Sequence, residues 1–261
     1  MGKSSHGRVL VLILSGFETK QCDNNIKYLK DAFSDPYFIT KVISFNCTKN
    51  PPQNSNLTIS QYKELQTMKK ALDFSSHSDE KWSNLPVIII KDSSITNVDS
   101  RGMKERIAFA RKYSSADLLF LTVWSDACTK QKLIANYVDG GSNLNWTYQP
   151  TATQAIMYTP ASKSTVKELI LNSTISYSAT LNNAIAAGKL TAATFTPNII
   201  DFDIALSTSN SDYYKLNTCA NIVTQPDTGN GLSSLLFFIV LVAIIIFTAY
   251  CLLILGPSSS C

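Results

Sequence analysis

The sequence predicts an α/β domain built on a mostly parallel sheet, followed by one C-terminal transmembrane helix. Short apolar β-type runs alternate with amphipathic helical stretches from Val9 to Phe195, the pattern made by a parallel sheet with helices on both faces. Leu232 to Leu255 (LSSLLFFIVLVAIIIFTAYCLLIL) is almost unbroken apolar sequence, and no charged residue follows Asp227. At 1.5 Å per residue, roughly 24 helical residues reach about 36 Å, enough to cross a hydrocarbon core of about 30 Å with some tilt. The run is apolar on every face, unlike an ordinary surface helix. Residues 207–231 turn to Ser, Thr, Asn and Asp, as a tether would. The expected organisation is an α/β domain over 1–206, a polar tether over 207–231, a transmembrane helix over 232–255 and a short tail over 256–261.

The elements follow in order. Val9 to Leu14 is a continuous apolar block with Gly16 after it, a buried first strand. It is too short for a signal-peptide core, and Gly16-Phe17-Glu18 is a poor cleavage context. Asp23 to Phe33 spaces Ile26, Leu29, Ala32 and Phe33 at helical intervals, with Asp23 as N-cap. Phe38 to Phe45 reads as the second strand and 49–60 as a polar loop. Gln61 to Leu72 places Tyr62, Leu65, Met68, Lys69 and Leu72 on one helical face. Val87 to Ile90 is the clearest strand in the chain. Met103 to Tyr113 is a helix rich in Arg and Lys, and Leu118 to Val123 is another buried strand. Thr129 to Pro150 reads as irregular, with a turn at Asp139-Gly140-Gly141-Ser142. Ala155 to Tyr158 is a short strand. Ser164 to Leu171 is a helix capped by Ser162 or Ser164, and Ser178 to Gly188 a helix stopped by its glycine. Ala192 to Phe195 closes the alternation.

Composition excludes several function classes. The net charge of +4 is mild, and its lysines and arginines are scattered without aromatic interleaving, so nucleic acid is not an expected partner. The 6 cysteines (Cys22, Cys47, Cys128, Cys219, Cys251 and Cys261) make no CxxC pair, and only 2 histidines, His6 and His77, accompany them. A zinc site and a Cys–His nucleophile are both unsupported. Gly-x-Ser-x-Gly, P-loop and Gly-x-Gly-x-x-Gly patterns are absent. Met1-Gly2 opens like a myristoylation signal, but His6 stands where Ser or Thr is required. Without a signal peptide, a terminal anchor inserts after synthesis, and the expectation is a domain on the cytosolic side. The sequons at Asn46, Asn56, Asn145 and Asn172 would then carry no glycans.

In parallel α/β sheets, ligands bind at the carboxyl ends of the strands. Those ends are Ser15-Gly16, Lys91-Asp92-Ser93-Ser94 and Trp124-Ser125-Asp126. The later Asp201 and Asp203 alternate, so an extended strand would present both on one face.

Three segments carry a family resemblance. They are Val87-Ile88-Ile89-Ile90-Lys91-Asp92-Ser93-Ser94 with the basic helix after it, Ala116 to Asp126, and Thr153 to Ser162 (TQAIMYTPAS). Over about residues 8 to 206 the order of elements resembles a glycosyltransferase of the A-type, Rossmann-like fold. More narrowly, it is similar to the galactosyltransferase-like family of lipooligosaccharide synthesis and collagen modification. The resemblance implies a nucleotide-sugar site with a manganese ion held by clustered carboxylates, which offset the diphosphate charge. It makes Asp126 the metal candidate, Asp126 and Asp203 the catalytic candidates, and Asp92 and Ser93 the cofactor-binding candidates. The sequence departs from the family where Val123-Trp124-Ser125-Asp126 offers one carboxylate for the usual two or three. Such degenerate domains resemble glycosyltransferase-like proteins of large icosahedral DNA viruses with an internal membrane.

Two readings result. The preferred one is a membrane-anchored structural protein without a cofactor, a minor capsid component of the virion. It would contact the bilayer through Leu232 to Leu255 and other capsid or membrane-associated proteins through its domain. The alternative is an active tail-anchored glycosyltransferase using manganese and a nucleotide sugar.

Overall fold

A computed structural model describes residues 7–15, 23–45, 50–52, 55–77, 80–123, 131–137 and 141–202. The expected tether, transmembrane helix and tail lie outside the described residues, as do Asp126 and Asp203. Every described residue belongs to the unit Met1–Val223. Among the described residues no helix is long and apolar enough to cross a membrane.

The chain runs β1 (Val9–Ser15), α1 (Asp23–Ala32), β2 (Phe38–Ser44), α2 (Ile59–His77), α3 (Glu80–Ser83), β3 (Val87–Lys91), β4 (Ser94–Thr96) and α4 (Ser100–Tyr113). It continues β5 (Leu118–Phe120), β6 (Lys132–Tyr137), β7 (Ser142–Thr147), β8 (Ala155–Tyr158), α5 (Pro160–Leu171), α6 (Tyr177–Ala186), β9 (Ala192–Thr196) and β10 (Ile200–Phe202). An 8-stranded sheet has the order β2-β1-β3-β8-β5-β9-β7-β6, and β10 pairs with β4 in a separate ribbon. β2, β1, β3, β5, β9 and β6 share one direction, while β8 and β7 run against it.

β1 lies between β2 and β3, and its side chains alternate between two cores. Leu10, Leu12 and Leu14 pack with α2, α5 and α6, among Leu65, Met68, Val166 and Leu181. Val9, Val11 and Ile13 pack with α1 and α4, among Leu29, Phe33, Met103 and Ile107. Cover on both faces is why Val9 to Leu14 and Val87 to Ile90 are apolar at every position rather than at alternate ones. On the first face, the Lys163 ammonium of α5 is buried and donates to the carbonyl oxygens of Ser75 (3.3 Å), Trp82 (3.4 Å) and Ser83 (2.8 Å). That ties α5 to the carboxyl ends of α2 and α3. Burial pulls the Lys163 pKa below its ordinary value.

Several expectations need correction. The sheet is mostly parallel as expected, but β8 inserts between β3 and β5 in the opposite sense. Within the stretch expected to be irregular, 132–137 and 142–147 are strands: β6 and β7 form an antiparallel pair with a register shift between Leu133 and Ala135. β6 is an edge strand and largely exposed, so it lacks the apolar run that marks a buried one. α5 starts at Pro160, and its N-cap is Thr159, whose side chain accepts from Ser162 N–H; proline is pre-set for a first helical turn. α4 starts at Ser100 behind Asp99, which accepts from Gly102 N–H at 2.7 Å. β5 ends at Phe120, short of Val123. The glycine stop of α6 holds: Gly188 has φ 69°, the left-handed conformation that closes a helix.

Candidate functional site

From β1 the chain moves to β2 on one side and then returns to β3 on the other. The β1/β3 boundary is therefore the switch point of the sheet, where the carboxyl ends of strands open a crevice. β3 delivers Lys91, Asp92, Ser93 and Ser94 to that edge.

Lys91 continues the face of Val87 and Ile89, the face covered by α2. Its ammonium donates to Glu64 Oε1 of α2 at 2.6 Å and to Thr153 Oγ1 at 3.1 Å. The Thr153 hydroxyl also donates to Glu64 Oε1 at 2.7 Å. The Lys91 and Glu64 side chains are only 10% and 18% exposed. Burial disfavours the Glu64 carboxylate, but the Lys91 charge and the bonds from Lys91 and Thr153 outweigh it. They hold the carboxyl below its ordinary value.

The other strand-end groups are tied to one another. Asp92 is buried, and its N–H donates to Leu14 O at 3.0 Å, extending the β1–β3 pairing. Lys91 N–H donates to Gln154 O at 2.9 Å, and the Ser93 hydroxyl to Gln154 Oε1 at 3.3 Å. Asn198 brackets the end of the β5 segment: it accepts from Val123 N–H at 3.0 Å and donates to Val123 O at 3.2 Å. The Thr122 hydroxyl donates to Ile200 O. Asp201, on β10, accepts from Asn97 and, at 3.4 Å, from Asn198.

The candidates from sequence divide accordingly. Asp92 and Ser93 stand at the switch point, but both are buried. β3, not β5, adjoins β1, and β8 separates β3 from β5. Asp92 and Lys91 therefore stand at the β1/β3 boundary, and the end of the β5 segment, to which the resemblance gives the metal role, stands two strands away from β3. Asp126 and Asp203 lie outside the described residues. Among the described residues no group of three or more His, Cys, Asp and Glu is placed to hold a metal ion. Of the carboxylates described at the switch point, Glu64 is taken by the Lys91 ammonium, and Asp92 is the other.

No family model matches the sequence, and no curated protein matches it. Solved structures overlay on it loosely. The crystal structure of A197 from STIV covers 72% of this chain and 81% of its own, at 8% identity and a TM-score of 0.35. A putative glucose-1-phosphate thymidylyltransferase from Bacillus anthracis, in complex with a sucrose, covers 72% of this chain and 89% of its own, at 14% identity and TM-score 0.34. Apo-UDP-glucose pyrophosphorylase covers 72% of each chain at 9% identity and TM-score 0.29. Likeness at this level transfers neither residues nor an activity.

Sequence reasoning missed the roles of Glu64, Thr153 and Asn198. A faint signal existed for Glu64, because it adjoins Leu65 on the buried face of α2. A lysine directly after Val87-Ile88-Ile89-Ile90 also needs a partner if it stays inside. Nothing in the sequence paired the two.

Proposed function

We propose that this chain is a membrane-anchored structural protein. Its α/β domain serves as a rigid body held at a bilayer by Leu232 to Leu255. In the viral setting suggested by the family resemblance, it is a minor capsid component linking an internal membrane to the capsid shell. The carrying observation is the buried Glu64–Lys91 pair at the switch point. That crevice, the ordinary ligand position of such a sheet, has an internal charge pair at its wall. An incoming diphosphate would have to pull Lys91 away and face the Glu64 carboxylate. The cross-ties through Gln154 and Asn198 stiffen the same edge.

An active glycosyltransferase remains the second reading. One observation favours it: β3 and β5 send their carboxyl ends to the same edge of the sheet, the edge at which Asp92 stands. Calorimetry of the detergent-solubilised chain with UDP-glucose and UDP-galactose, with and without manganese, separates the two. No heat of binding is expected in either condition. Manganese-dependent binding abolished by Asp92→Ala or Asp126→Ala would reverse the preference. Co-purification of the chain with the membrane and shell of its source particle supports the structural role, and its exclusion from the particle removes the capsid assignment.

A further inference from the structure

At the opposite edge of the sheet, the amino ends of β3 and β5 and the carboxyl end of β8 line a pocket of about 240 Å³ that opens to solvent. Leu119 and Met157 give it an apolar floor, and Ser114, Ser115 and Arg111 of the α4 end give it a polar wall. The Arg111 guanidinium is half fixed. Its Nη1 donates to Gly7 O and to the Tyr37 hydroxyl, each at 2.6 Å, and the group lies over the Tyr37 ring at 5.7 Å. Its Nε and Nη2 donate to no described residue.

We propose that this pocket binds a small monocarboxylate with an apolar body. The floor takes the hydrocarbon part, and the remaining edge of the Arg111 fork takes the carboxylate, whose two oxygens match it. The carbonyl end of α4 lies at the same wall, because α4 stops at Tyr113. Its negative dipole end opposes any anion there, a dianion such as phosphate more than a single carboxylate, and the Arg111 charge offsets it. The site is separate from the switch-point crevice and does not depend on the structural role proposed above.

The test is thermal unfolding of the full chain in detergent with sodium butyrate and sodium benzoate. The matched alcohols, 1-butanol and benzyl alcohol, serve as controls. At about ten times its Kd, a bound carboxylate raises the Tm by roughly 3–5 °C, and the alcohols do not. Arg111→Met removes the response. Because Arg111 also holds Gly7 and Tyr37, Ser115→Trp is the second variant: it plugs the rim and leaves the arginine contacts in place. It keeps the ligand-free Tm and loses the carboxylate shift. No shift with either carboxylate, an equal shift with the alcohols, or a shift retained in Ser115→Trp overturns the proposal.

Discussion

At the residue scale, one buried charge pair decides how the switch point is read. Glu64 and Lys91 neutralise each other in a crevice that water scarcely reaches, so removing one partner strands the other. Lys91→Met is expected to cost about 3–5 kcal/mol, whereas replacing both residues with methionine is expected to recover most of that loss. Chemical denaturation of the singles and the double measures it. A double mutant as damaged as the sum of the singles would contradict an internally neutral pair. Acid adds a second readout. The Glu64 carboxyl titrates near 4.5 when unfolded and lower when folded. As pH falls, the unfolded chain takes up the proton first. Stability from the pair is therefore complete above about pH 4.5 and is lost as pH falls through the folded value. Glu64→Gln has no such limb, so its stability gap from the native chain narrows toward acid. A gap that stays constant from pH 7 to pH 3 would remove the pair from the acid response.

At the scale of elements, burial sorts residues that look alike in sequence. Asn56, Asn145 and Asn172 all stand in sequons, but they occupy different surroundings. Asn145 sits in β7, fully buried, with its amide donating to Thr196 Oγ1 at 3.1 Å. In the folded domain it cannot accept a glycan on either side of a membrane. Asn56 is exposed ahead of α2, and Asn172 is the exposed C-cap of α5. These two are the useful reporters of topology. With the domain on the cytosolic side, intact-mass measurement on natively sourced protein shows both unmodified. A glycosidase-sensitive mass excess mapped to Asn56 or Asn172 would place the domain across the membrane. An unmodified Asn145 carries no such information.

At the scale of the whole molecule, the proposed function needs the apolar run to hold the chain in a bilayer. Two arginines at mid-span, Val240→Arg with Ile244→Arg, each cost about 2.5–3.5 kcal/mol on insertion scales. The double variant is expected in the supernatant after carbonate washing, with the thermal unfolding of its domain unchanged. Retention in the pellet would reveal another attachment. Unfolding of the released domain would show that the two parts depend on each other.

By itself the sequence determined where β1, β3, β8 and β9 lie, because strands covered on both faces carry runs of consecutive apolar or small residues. It determined that helices cover both sides, from periodicity alone, and that Asp92 and Ser93 stand at a strand end. It did not determine strand direction: Ala155 to Tyr158 is buried at every position, and such a strand reads the same running with its neighbours or against them. It passed over the β6–β7 hairpin, since β6 is an exposed edge and β7 buries Asn145 among polar partners, so neither shows clean alternation. The pairing of Glu64 with Lys91 joins residues 27 positions apart, and the bracket of Val123 by Asn198 joins residues 75 apart. Local propensity carries no information about such contacts. Only the tertiary structure decided them, because sheet order sets which strand adjoins β1, and that choice sets which side chains share the crevice.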